Sequence, residues 1–361
     1  MLAERELHMV VDRRLGGMPR YRYTREEDLM QVPEEIRKCV AFVCYRNANG
    51  ILEPAGTAFS VWLRSEGWVG GGFGYVVTAK HVIAGIKTTA KDDKVILRVN
   101  MLDGSAQLVE TDINDWHFHP DDDSVDVAVL ALTLPVTPGI YHLAIPTDMA
   151  ATDSVIAMQQ IGPGLEVFLT GLFVNHYGEH RNLPVVRTGT IALMPEEKVA
   201  IRNFGPVDAF LIEARSVGGL SGSPVFVYMD AMSLDADHVR RLRNTGPVFY
   251  WLGLMHGHFQ APVGDLGDDI GDSAFSQEYV NMGIAIVIPA SKILEVINQK
   301  AFVRQRERIM EEEKNIELLP VPDAVSPPFS KQDFNASLRA ASSRRKKENP
   351  ADEQNHPPQG A

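Results

Sequence analysis

The chain has 361 residues, 45% of them hydrophobic and 23% charged, which supplies a sizeable core and excludes a wholly disordered or fibrous protein. Its 35 Lys and Arg against 47 Asp and Glu give a formal charge of -12. Without the positive field that follows phosphate backbones or anionic lipid, neither nucleic acid nor a membrane is expected as a partner.

Residues 1–36 read as an N-terminal extension, in which charges interrupt each apolar run of MLAERELHMVVDRRLGG before it reaches the length of a signal-peptide core. No apolar stretch elsewhere approaches the roughly 18 residues of a spanning helix. The two cysteines, Cys39 and Cys44, lie an odd number of positions apart and so face opposite sides of a strand, where no disulfide joins them. Free thiols and no export signal point to a reducing cytoplasm.

From Cys39 to about residue 290 the chain alternates short β-rich runs with turn chemistry. Runs such as TAFSVWL, YVVTA, KVILRVN, EVFLTGLF, SPVFVY and GIAIVI are punctuated by NANG, LDGS, HPDDD, IGPG and NTGP. This is an all-β pattern of sandwich or barrel type. Ser291 is placed to cap one closing helix, with Ile293, Leu294, Ile297, Ala301 and Phe302 at helical spacing. Its charged continuation over 301–320 extends the helix, and the Pro-, Ser- and Lys-rich tail over 321–361 cannot bury enough surface to order itself.

Chemistry is concentrated in Gly218-Gly219-Leu220-Ser221-Gly222-Ser223-Pro224, between two apolar runs. A serine between glycines on a tight turn exposes its hydroxyl, and neighbours without side chains let main-chain N–H groups converge on one point. Taken alone, the motif could equally be an ordinary strand connection. Serine needs a neighbouring base, and His81, at the end of the β-branched run YVVTAK, is the candidate imidazole. Asp126 enters the apolar run DVAVLAL, and a carboxylate there must accept hydrogen bonds to be tolerated.

These segments, in the order His, Asp, Ser, resemble the chymotrypsin-like or trypsin-fold serine proteases, most closely the HtrA-like, signal-less bacterial branch. Gly56-Thr57-Ala58-Phe59 resembles the family's early strand, Leu252–His258 its cleft-lining strand, and Gly283–Ile286 its closing strand. The resemblance implies two six-stranded antiparallel β-barrels, over 37–140 and 141–300, followed by a C-terminal helix. It implies acyl transfer on a protein or peptide substrate, with Ser221 as nucleophile, His81 as base and Asp126 orienting His81. The N–H groups of Gly219 and Ser221 would form the oxyanion hole, and Arg215, Ser216, His256, Gly257 and His258 would line the substrate cleft. No cofactor or metal is implied, and nothing in the sequence sets an oligomeric state.

Two departures from the family pattern stand out. Leu220 replaces the acid that pairs with a new N-terminus in zymogen-activated relatives, so activity without N-terminal processing is expected. Lys80 stands where many relatives carry alanine and reads as an exposed side chain. The loops 229–247 and 259–280, the second carrying Asp265, Asp268, Asp269 and Asp272, are candidates for a lid. The spacings of His176 with His180 and of His256 with His258 lack the accompanying ligands of a zinc site. Gly70–Gly74 lacks the Lys of a phosphate loop and reads as a hairpin tip. Alternatives to a protease are a catalytically silent peptide-binding scaffold and an esterase-like acyl hydrolase.

Overall fold

The computed structural model describes Val32 and residues 34–65, 71–134, 137–201, 204–214, 218–229, 248–262 and 279–314, together with short strand segments at 10–11, 21–22, 232–234 and 240–242. The tail 321–361, most of the extension 1–36 and the acidic segment with Asp265 to Asp272 lie outside the described residues.

A small pair, β1 (Val10–Val11) with β2 (Tyr21–Arg22), and one helical turn, α1 (Glu34–Arg37), precede two β assemblies. The first comprises β3 (Val40–Arg46), β4 (Leu52–Arg64), β5 (Gly72–Thr78), β6 (Lys94–Asn100), β7 (Ala106–Asp112), β8 (His117–Phe118), β9 (Ala128–Leu130) and β10 (Ile145–Pro146). They form one eight-stranded sheet in the order β7-β6-β3-β4-β5-β9-β8, with β10 added in parallel beside Val61 and Trp62 of β4. Helix α2 (Lys80–Thr89) follows β5. After α3 (Asp153–Gln159) come β11 (Glu166–Gly171), β12 (Val185–Leu193), the hairpin β13 (Val199–Ile201) with β14 (Gly205–Val207), β15 (Phe210–Glu213), β16 (Pro224–Met229), the pair β17 (Met232–Leu234) with β18 (Arg240–Leu242), β19 (Val248–Pro262) and β20 (Tyr279–Pro289). Six of these strands close an antiparallel barrel, β11-β12-β15-β20-β19-β16.

The expectation of two closed six-stranded barrels is therefore met once. Closure of the first sheet would require its edge strands β7 and β8 to exchange main-chain hydrogen bonds. Strand β8 is only 2 residues long, and among the described residues the two edges are not joined.

Alternation of side chains across the strands sorts the core. Val167, Leu169, Ile191, Ile212, Val225, Val227 and Val287 fill the barrel. Ala41, Val43, Phe59 and Val61 share a larger cluster with Phe168, Phe226, Trp251 and Ile288. That cluster, which includes the edge-to-face pair of Phe59 and Trp251 at 5.5 Å, welds the sheet to the barrel. Cys39 packs in it while Cys44 packs with Val40 and Phe42 on the opposite face, so the two free thiols lie as the odd spacing requires. Burial raises both thiol pKa values, that of Cys44 to about 12, which leaves them protonated and unreactive.

The chain closes with two helices, α4 (Ala290–Ile297) and α5 (Lys300–Lys314), where the sequence predicted one. The N-cap is Pro289, and Ser291 lies inside the first turn without a capping bond. The φ and ψ values of -96° and 10° at Asn298 break the path, and α5 then returns to the first sheet. There Phe302 packs on Tyr75 at 5.3 Å and Arg306 donates to the Tyr75 hydroxyl at 2.7 Å. Among the described residues no helix is long and apolar enough to cross a membrane.

Inside the first sheet, the buried His142 has its Nε2 2.8 Å from the Ser60 Oγ, and burial lowers its pKa to about 3. An unfolded histidine titrates near 6.5. The unfolded chain therefore binds a proton that the native state refuses, and stability, full above about pH 6.5, falls as the pH drops toward 3. Urea unfolding between about pH 4 and 6 should show a slope contribution of about 1.4 kcal/mol per pH unit from this site. The double variant Ser60→Ala, His142→Leu, which removes both polar partners, should lose that contribution.

Candidate active site

The site is built where α2 begins. Its N-cap residue, Ala79, has no side chain that can bond the orphan N–H groups of the first turn. The carboxylate of Asp126 supplies that cap from a distant segment: Oδ1 accepts the His81 main-chain N–H at 2.8 Å, and Oδ2 lies 2.7 Å from His81 Nδ1. One carboxylate thus fixes both the backbone and the ring of His81. The burial of Val82, Ile83 and Ile86 on one face of α2 holds the helix against the sheet. Sequence reasoning placed His81 at a strand end because it follows the β-branched run with Val76, Val77 and Thr78; the spacing of 82, 83 and 86 carried the helical signal.

Asp126 is 2% exposed and is delivered by a pinned loop. His119 Nδ1 accepts the Asp122 N–H at 2.9 Å, and Asp122 Oδ1 accepts the Ser124 N–H at 2.9 Å. Lys80 is half-buried and forms an ion pair with Asp123, so it tethers this loop as well. His256 on β19 brings its Nδ1 to 2.5 Å from the same Asp126 Oδ2. Burial alone would raise the Asp126 pKa, but the hydrogen bonds from His256 and His81, with their favourable charge, outweigh it and hold the pKa at about 2.

Ser221 sits on a turn clamped between the two assemblies. Gly222 donates to Met255 O at 2.8 Å and Thr57 N donates to Ser221 O at 2.9 Å. The Thr57 hydroxyl donates to Gly219 O at 2.8 Å and accepts the Leu172 N–H at 2.8 Å. At Gly222, φ is +87° and an added Cβ would lie 2.0 Å from Thr57 O, so only glycine fits there. The Ser221 hydroxyl donates to His256 O at 3.0 Å, and among the described residues no hydrogen bond joins it to His81. The N–H groups of Gly219 and Ser221 donate to no main-chain acceptor among the described residues.

His81, Asp126, Ser221, Gly219 and His256 are thus brought to one place. The imidazole of His256 is turned onto Asp126 and is 6% exposed as a residue, because the buried carboxylate draws the ring N–H inward. Gly257 and His258 are half-buried on β19, paired in register with Ile286 and Ala285. Arg215 and Ser216 lie outside the described residues. Two contributors went unassigned in the sequence: Thr57, a polar residue in an apolar run, and Phe204, beside β14, whose ring lies 4.7 Å from that of His256 and 5.9 Å from that of His81.

Ligand atoms of His81, Asp126 and His256 all lie within 4.8 Å of one another, a donor set that zinc accepts. The separations of 2.5 and 2.7 Å are nonetheless those of N–H···O bonds, shorter than the about 3.3 Å between ligands held at about 2.0 to 2.1 Å from a tetrahedral ion.

Thr57→Val should strand the Leu172 N–H and free the Gly219 carbonyl, lowering stability by about 1–3 kcal/mol. Chemical denaturation measures this loss, and Thr57→Ser, which keeps the hydroxyl, should recover most of it.

No protein-family model matches the sequence, and no curated protein matches it. Among solved structures the chain is similar to the crystal structure of Deg5, at 14% identity and a TM-score of 0.39 over 72% of this chain and 88% of that one. It is likewise similar to an inactive form of the Rv3671c protease, at 16% identity and a TM-score of 0.37 over 73% and 88%. A serine-to-alanine mutant of Rv3671c from M. tuberculosis H37Rv gives 16% and 0.36 over 73% and 87%.

Proposed function

We propose that the chain is a serine endopeptidase of trypsin-like fold, in which the open sheet and the closed barrel are the two halves, and that it works in a reducing cytoplasm. The observation that carries this reading is the double grip of Asp126 on His81. A hydrogen bond from Nδ1 to the carboxylate places the ring proton on Nδ1 and leaves Nε2 free as a base.

In the reaction, the Ser221 hydroxyl rotates about χ1 from the His256 carbonyl to His81 Nε2. Its oxygen attacks the scissile carbonyl while Nε2 takes the proton. The tetrahedral oxyanion is received by the N–H groups of Gly219 and Ser221, one such donor being worth about 10²–10³ in turnover. His81 then returns the proton to the leaving amine, and water resolves the acyl enzyme by the same steps in reverse. Arg215, Ser216, Gly257 and His258 are assigned to the substrate cleft. The expected test result is turnover of casein or a peptide library by the full-length chain without prior processing, with amides cleaved as well as matched esters. Cleavage of esters alone would favour the acyl hydrolase.

A second reading, a catalytically silent scaffold that binds peptides, is favoured by one observation: Ser221 bonds to His256 O rather than to His81. Firm peptide binding without product under any condition would select it.

A further inference from the structure

Arg98 of β6 is 7% exposed, and among the described residues no carboxylate pairs with its guanidinium. A charge so buried depends on neutral acceptors and aromatic faces. Those it meets lie on the loop 172–184, which joins β11 to β12 in the other half of the molecule. Nη1 donates to Asn182 Oδ1 at 2.8 Å, Nη2 donates to Glu179 O at 2.9 Å, and Cζ lies 5.6 Å from the centre of the Tyr177 ring. Asn182, 2% exposed, returns the grip. Its Nδ2 donates to Arg98 O at 2.6 Å, its main-chain N–H donates to Asn100 Oδ1 at 2.7 Å, and its carbonyl accepts from Asn100 Nδ2 at 3.2 Å.

The root of the same loop lies against the nucleophile turn. Leu172 and Val174 pack with Val40, Phe42 and Ile96 of the first sheet. The bare backbone of Gly219 admits them, since a Cβ there would lie 2.9 Å from Leu172 Cγ and 3.0 Å from Val174 Cγ1. The Leu172 N–H donates to the Thr57 hydroxyl, which in turn donates to Gly219 O. A strand of the first sheet therefore holds one end of a loop whose other end fixes where Gly219 lies.

We propose that Arg98 and Asn182 form a clasp that positions Gly219, and with it the N–H groups assigned to the oxyanion, from the opposite half of the molecule. The assignment rests on the protease reading for its kinetic consequence but not for its geometry. Lifting the loop would leave a buried guanidinium without acceptors, so the intact clasp stays shut. Without Arg98 the loop is released and the N–H groups of the turn wander from the oxyanion, an interaction made only in the transition state.

Three variants test this. Arg98→Met keeps the stem and removes the guanidinium, Arg98→Lys keeps one cationic donor, and Asn182→Ala opens the clasp from the loop side with β6 untouched. For Arg98→Met and Asn182→Ala, kcat should fall by about 10- to 100-fold with KM little changed, below the about 10²–10³ that a whole oxyanion donor is worth. A peptide boronate, which forms a tetrahedral adduct on the nucleophile, should lose affinity by the same factor as kcat/KM, and Arg98→Lys should recover part of both losses. A lower denaturation midpoint with kcat and boronate affinity unchanged would overturn the positioning role. Amide hydrogen exchange gives a readout that needs no turnover. In Arg98→Met and Asn182→Ala it should quicken by about 10-fold or more at Asn182 and Leu183, and also at Leu172 and Ser223, whose N–H groups bond Thr57 Oγ1 and Leu220 O. A wild type without turnover that gives this pattern would sink the protease and leave the clasp standing. Faster exchange confined to Asn182 and Leu183 would overturn the clasp's hold on the turn, whatever the activity.

Discussion

Ser221→Ala should lower peptide-bond turnover by about 10⁶ while leaving the fold intact. Of the two hydroxyls on the described turn, that of Ser223 is fully buried, which leaves Ser221 as the nucleophile, and alanine keeps the Ser221 main-chain contacts, including the carbonyl that accepts the Thr57 N–H. Among the described residues, the hydrogen bond lost in the resting state is the one to His256 O, a half-buried bond whose net contribution is about 1 kcal/mol. Residual activity about 10³–10⁴ above the uncatalysed rate should persist, because the oxyanion donors and the cleft survive the change. His81→Ala should fall by a similar factor, and the double variant no further, since a base without a nucleophile has nothing to activate. Steady-state kinetics on one peptide substrate, with thermal unfolding alongside, measures all of this. An additive loss in the double variant would mean that the two residues do not act in one step.

Asp126→Asn should cost about 10⁴ in kcat, for a reason visible in the hydrogen-bond count. The carboxylate accepts from the His81 main chain, from His81 Nδ1 and from His256 Nδ1. An asparagine offers one oxygen and one NH₂. With its NH₂ toward the rings, the amide makes His81 Nδ1 accept and moves the ring proton to Nε2, so His81 ceases to be a base; turned the other way, it sets an N–H against the helix N–H and loosens the hold on His81. Stability should change with pH as well. The folded carboxyl, held at about 2, lies below its unfolded value of about 3.9. Its contribution is complete above about pH 4 and is lost as the pH falls through about 2, an acid-side loss of about 2 kcal/mol that Asp126→Asn should remove. Denaturant titrations across that range, read beside kcat at neutral pH, separate the two effects.

The candidate site was legible in the sequence where a residue broke a local pattern. Ser221 stands between glycines, His81 ends a β-branched run and Asp126 opens an apolar one; each is costly in its place unless something compensates. What binds them together was not legible, because it is non-local. Thr57 reaches Gly219 across 162 residues, and His256 reaches Asp126 across 130, and neither pairing leaves a local period to read. The helical start at Lys80 was hidden by β-branched residues whose burial on one helical face outweighs their intrinsic strand preference. Strand density pointed to the β class and left sandwich or barrel open; whether the first sheet closes depends on how long its edge strands run, and the two residues of β8 are too small a feature for composition to show. The break between α4 and α5 at Asn298 likewise interrupts a continuous helical spacing, since Phe302 follows the contour of Tyr75 rather than the axis of α4.

The joining of Ser221, His81 and Asp126 into one reactive site is tested most directly by a fluorophosphonate, which phosphonylates a serine only when a base has activated it and donors receive the oxyanion. Intact mass and peptide mapping of the full-length chain should find one adduct, on Ser221, in the wild type, a much slower one in Asp126→Asn and none in Ser221→Ala. Equal labelling of wild type and Ser221→Ala, or a wild type that stays unmodified after prolonged exposure, would contradict it.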